Sequence, residues 1–102
     1  MNVRAAFDRE AERELHLAME YYDAQQEGLG DDFLDEVARC VERIERFPES
    51  GTPARNGLRR ARVSRFPFAL VYRVALPLAR ILAVANLHRE PPWRVGGTST
   101  DR

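Results

Sequence analysis

The block from Leu58 to Trp93, LRRARVSRFPFALVYRVALPLARILAVANLHREPPW, carries Arg59, Arg60, Arg62, Arg65, Arg73, Arg80 and Arg89, with Glu90 as its one acid. His88 closes an apolar stretch, precedes Arg89 and, by strict alternation from Arg80, falls on the same strand face as that arginine. A histidine among arginines could cleave RNA. The imidazole would move the 2′-hydroxyl proton or protonate the leaving oxygen, and guanidinium groups would stabilise the charged phosphorane. The competing reading makes His88 a strand-end polar residue bonded to backbone, since no second acid–base group accompanies it. A basic sheet can also meet an anionic partner, nucleic acid or an acidic protein segment, without doing chemistry.

Other chemistries lack support. His16 and His88 are the only histidines, and no Cys or carboxylate cluster joins them at ligand spacing, so neither a metal nor a cofactor is expected. Gly28-Leu29-Gly30 precedes a helical pattern but follows no strand, which makes it a helix–helix turn and not a phosphate loop. Cys40, the single cysteine, lies on an apolar stripe and reads as core; it excludes an internal disulfide. His16 reads as a surface residue, and Tyr21-Tyr22 as one core and one rim position.

The formal net charge of zero conceals two opposite halves. Residues 1–50 hold fourteen Asp/Glu against six Arg, and residues 51–102 hold ten Arg against two acids. The chain has no lysine; GC-rich coding explains that, so where the arginines sit matters more than their type. At 102 residues the expectation is one domain with a modest core and a net stability of about 5–10 kcal/mol. No apolar run reaches the roughly 20 residues needed to cross a bilayer. The opening MNVRAAFDREAERE has no signal-peptide pattern, so the expected location is cytoplasmic with no membrane contact.

These residues need elements to position them. Val3 to Phe7 predicts an opening strand, and Asp8 an N-cap for a helix whose apolar face is Ala11, Leu15, Ala18 and Tyr22. Gly28 and Gly30 end that helix, and Asp31 or Asp32 caps a second one. Its stripe is Phe33, Val37, Cys40 or Val41, Ile44 and Phe47, stopped by Pro48. PESGTPARNG, residues 48–57, reads as loop. The period then becomes two. Ala61 and Val63 alternate with Arg60, Arg62 and Ser64; Phe68, Leu70, Tyr72 and Val74 alternate with Ala69, Val71, Arg73 and Ala75. After Leu76-Pro77-Leu78, Arg80 to His88 predicts a central strand with Arg80, Leu82, Val84, Asn86 and His88 on one face. The expected fold is α+β, β-α-α-β-β-β: a helical hairpin packed on one face of a mainly antiparallel four-stranded sheet. The domain should span 1–94, with 95–102 a flexible tail.

That element order, with EYYDAQQEGLGDDFLDEV, RFPFALVYRV and ILAVANLHREPPWR in sequence, strongly resembles the RelE/ParE toxin superfamily over about Val3 to Arg94. These are the toxin halves of type II toxin–antitoxin modules, often called plasmid stabilisation proteins. The resemblance implies growth inhibition, neutralised by a cognate antitoxin that lays a helix and an extended segment on the toxin. RelE-type members are ribosome-dependent mRNA endonucleases; ParE-type members poison DNA gyrase and are not enzymes. The nucleases typically carry an arginine immediately before LVY, where this chain has Ala69. They also use an arginine near the end of the last strand, to which Arg89 corresponds, followed by a C-terminal Tyr or His. Here His88 and Trp93 are nearest, and many ParE-like relatives carry His where this chain has Asn86. The FPFALVYRV and HREPPW segments look closer to the ParE-like branch. If the chain were an endoribonuclease, His88, Arg89, Arg65 and Arg80 would be its catalytic candidates. Otherwise Arg60, Arg62, Arg65, Arg73, Arg80 and Arg89 form a contact surface for target or antitoxin. A third possibility is a non-toxic antitoxin-binding module.

Overall fold

The structure is a computed structural model and describes residues 2–88. Arg89, Trp93 and the expected tail 95–102 lie outside the described residues. The elements follow in the order β1 (Arg4–Phe7), α1 (Arg9–Gln25), α2 (Leu29–Arg46), β2 (Thr52–Pro53), a 3-10 turn (Arg55–Gly57), β3 (Arg59–Arg62), β4 (Phe68–Ala75) and β5 (Leu78–Asn86). They build one sheet in the order β1-β5-β4-β3-β2, antiparallel except for the parallel pair β1–β5. The helical hairpin covers one face, as expected. The sheet has five strands where four were predicted, because Thr52 and Pro53 pair with Arg60 and Arg59.

The core forms between hairpin and sheet. Ala11 and Ala18 of α1, Phe33, Val37, Cys40 and Ile44 of α2, and Leu70, Tyr72, Ala79, Ile81 and Val84 of the sheet are all buried there. Tyr22, Phe33, Phe66 and Phe68 pack against one another, mostly edge to face, with centroids 4.9–6.1 Å apart. Each such pair is worth roughly 0.5–1.5 kcal/mol beyond burial, so the cluster clamps both helices to the turn between β3 and β4. Phe47, placed on the α2 stripe by spacing, is instead 61% exposed, since the helix ends at Arg46 and the chain turns away.

Three carboxylates close backbone gaps. Gly28, at φ 89°, begins α2 in place of Asp31 or Asp32, and Gly30 sits inside its first turn. A Cβ on Gly30 would lie 2.6 Å from the Met19 carbonyl, so glycine lets the helices meet there, and its N–H donates to Asp23 at 2.8 Å. Glu14 of α1 accepts from the Val84 N–H of β5 at 2.8 Å, beyond the point where β1 stops pairing. Glu45 of α2 accepts from the outward N–H of Ala5 on β1 at 2.9 Å, while its own carbonyl takes the Val3 N–H.

Candidate functional site

The face of the sheet away from the helices has an apolar floor and an arginine rim. In β4, Phe68, Leu70 and Tyr72 point to the helices, which leaves Ala69, Val71 and Arg73 on the outer face. In β3, Ala61 packs inward, so Arg60 and Arg62 stand outside, opposite Val71 and Ala69. In β5, Ala85 and Ala83 continue those two rows. Arg73 and Arg80 face each other one row further along. Leu58, Val71, Ala83 and Ala85 form a small second core on this side, with Ala54 and Leu82 against it. The register thus brings together Arg60, Arg62, Arg73 and Arg80.

Their surroundings separate them by role. Arg80 is held by Asp8, to which its Nε donates at 3.0 Å while a terminal nitrogen also contacts the same carboxylate oxygen. Asp8 occupies the N-cap of α1 as predicted, but its carboxylate bonds Arg80 and no helix N–H. Arg73 donates to the Asn56 carbonyl at 2.9 Å. Arg60 and Arg62 have no side-chain hydrogen bond or ion pair among the described residues, which leaves their guanidinium groups open to a partner. On one strand face they stand about 6.6 Å apart along the chain, a spacing suited to two successive anionic groups.

Arg65 does not belong to this face. It sits in the β3–β4 turn at φ 72°, 3.5 Å from Glu36 and with its guanidinium 5.7 Å from the Phe66 centroid. Glu36 is 8% exposed and also pairs with Arg39 at 3.0 Å, so it ties the turn to α2. The structure corrects His88 and Arg80 as well. A bulge at Val71/Tyr72 shifts the register, so that Val71 pairs with Ala83 but Tyr72 with Ile81. Alternation therefore breaks within β5: Ala79, Ile81 and Val84 pack toward the helices, and Ala83 and Ala85 away. Arg80 and His88 consequently do not share an alternating face. The strand also ends at Asn86, leaving His88 exposed in a turn where its N–H meets the Asn86 side chain at 2.9 Å.

The buried ionisable groups are structural. Burial pushes the Cys40 thiol up to about 11, against the opposing pull of Arg43, and its sulfur lies 3.6 Å from the carbonyls of Ala61 and Arg62. Burial also raises the Tyr72 phenol, which donates to Pro48 at 2.7 Å and accepts from Gly51 at 3.1 Å. No group of three or more metal-ligating side chains occurs among the described residues, and none of their helices is long and apolar enough to cross a membrane.

Sequence reasoning missed Glu14, Glu36 and Glu45. Only Glu36 left a signal, an acid inside the spacing of the inward stripe of α2. The other two answer backbone groups exposed by strand pairing, which residue patterns do not show.

Known proteins agree with this architecture. No curated protein sequence matches the chain. Among solved structures, the "Chromosomal ParDE TA system from P. aeruginosa" superposes with a TM-score of 0.76 at 18% identity, covering 83% of this chain and 96% of that one. At that identity the likeness establishes the fold. The family model described as "ParE toxin of type II toxin-antitoxin system, parDE" matches residues 5–91, from β1 through the end of the described sheet. A helical hairpin on an arginine-faced sheet and a match over most of the length lead to one assignment: the chain belongs to the ParE toxin family of type II toxin–antitoxin systems.

Proposed function

We propose that this protein is a cytoplasmic growth-inhibiting toxin that poisons DNA gyrase, does not cut mRNA, and is neutralised by a cognate antitoxin bound to its arginine-bearing face. The observation that carries this reading is the dispersal of the candidate catalytic groups. Arg80 and Asn86, where the strand ends just before His88, stand about 20 Å apart at strand rise, too far for Arg80 and His88 to reach one phosphate. The His88 end lies beside the β3–β4 turn, where Leu87 donates to Pro67 at 2.8 Å, while Arg80 is held by Asp8 at the other end. Arg65, nearer to His88, is engaged by Glu36. Ala69 stands where nuclease members typically carry an arginine, and it is buried between Arg62 and Ala85.

Purified protein is expected to inhibit supercoiling by gyrase or trap its cleaved complex, while ribosome-bound mRNA stays intact. Codon-positioned cuts on ribosomes with supercoiling unaffected would overturn the proposal. Growth should stop when the chain is expressed alone and recover when the antitoxin is co-expressed. Normal growth at confirmed soluble levels would leave a binding module without toxicity.

A further inference from the structure

A groove of about 680 Å³ runs between the C-terminal half of α2 and the start of β1. Arg4, Arg39, Arg43, Arg46 and Phe47 line it, together with Glu42 and Glu45. Its character is opposite to that of the layer around it, since α1 and α2 together hold eleven acids against five arginines. Two of the four guanidiniums are already engaged, Arg39 by Glu36 and Arg43 by the Arg62 carbonyl at 2.8 Å. Arg4 and Arg46 have no side-chain partner among the described residues. Glu42 and Glu45 offset two of the four positive charges, which leaves the lining with a net charge of +2. The end of α2 adds a partial negative charge of about half a unit, which the full charges of Arg43 and Arg46 exceed. Phe47 adds an aromatic ring, 61% exposed, beside these charges.

We propose that this groove holds an acidic segment of the antitoxin, with carboxylates on Arg4 and Arg46 and an apolar side chain against Phe47. The proposal rests on the toxin–antitoxin reading above and adds a second contact, centred on Arg4 and Arg46 beside β1 and distinct from Arg60 and Arg62 on the outer face. Size and chemistry match: clefts of roughly 300–1,000 Å³ enclose ligands of a few residues, and opposite charge steers and orients them. The segment is read by its side chains and does not join the sheet. The outward N–H groups of Val3 and Ala5, which a strand added at β1 would need, already bond to Glu45.

The test measures binding of full-length cognate antitoxin by fluorescence anisotropy at low and high salt, with circular dichroism melts as a check on folding. Arg4→Glu combined with Arg46→Glu should weaken binding by about tenfold or more and flatten its salt dependence. Phe47→Ala should weaken it by about fivefold or more, as for an aromatic anchor. If charge reversal disturbs folding, Arg4→Gln with Arg46→Gln makes the same decision, with a loss of about threefold expected. Wild-type affinity and salt slope in these variants would overturn the groove while leaving the toxin–antitoxin reading intact. No binding by the wild-type protein would overturn both.

Discussion

Replacing Gly51 with alanine should destabilise the protein by about 2–4 kcal/mol, although it adds one methyl group. The added Cβ would lie 2.5 Å from the Tyr72 hydroxyl, 2.9 Å from its ring and 3.0 Å from the Arg60 carbonyl. Tyr72 is fully buried and cannot swing into solvent. Overpacking of this kind costs roughly 1–3 kcal/mol. The displaced hydroxyl also loses its bonds to Pro48 and Gly51, each worth about 1 kcal/mol. Stiffening the unfolded chain returns only about 0.4–1 kcal/mol. Tyr72→Phe alone should cost about 1–3 kcal/mol by leaving the Pro48 carbonyl and Gly51 N–H unpaired. In the double variant the worst clash has gone, so the two losses should fall short of their sum by about 1–2 kcal/mol. Urea unfolding of the four proteins, followed by circular dichroism, completes the cycle. Additivity within about 0.5 kcal/mol would refute the reasoning, as would a Gly51→Ala protein as stable as wild type. Because the same contact reaches Arg60, growth arrest by the variant should weaken along with stability.

Glu14→Ala should cost about 1–3 kcal/mol by orphaning the Val84 N–H, and Glu14→Gln, which keeps an acceptor, less than about 1 kcal/mol; equal losses in denaturant midpoints would argue against the bond. Alkaline pH should destabilise the fold, since a thiol whose folded pKa rises from 9.0 to about 11 adds stability that is complete below pH 9 and lost between pH 9 and 11. Tyr22 and Tyr72, also raised by burial, act in the same direction. Cys40→Ala should shrink the slope of stability against pH in that window by an amount integrating to about 2 kcal/mol, and an unchanged slope would count against this assignment. His88→Gln should retain growth arrest, because glutamine keeps size and a hydrogen bond but carries no proton; abolished toxicity in a folded protein would favour the nuclease.

Polar markers decided how much of this could be read from sequence. In β3 and β4, Arg60, Arg62 and Arg73 punctuate the apolar positions, so the alternating faces followed directly. Within ILAVA of β5 every side chain is apolar, and a slip of one residue leaves no trace in such a run. Arg80 looked like part of an open basic surface because its partner Asp8 lies 72 residues away. Strand β2 has no period to detect in two residues. It exists because Tyr72 anchors Pro48 and Gly51, and because Arg59 donates to the Glu49 and Gly51 carbonyls at 3.0 and 2.8 Å.

Helix α2 supplies groups to both margins of the sheet: Glu45 satisfies the outward N–H groups at β1, and Arg43 the outward Arg62 carbonyl at β3. Resistance to clumping in the free protein is therefore tied to the docking of one helix. A brief detachment of the α2 C-terminal half, far short of global unfolding, would bare two sticky margins at once. The rate of aggregation should then follow hydrogen exchange at Ala5 more closely than the melting temperature. A stabilising change confined to the aromatic cluster would raise the melting point and do little for shelf life.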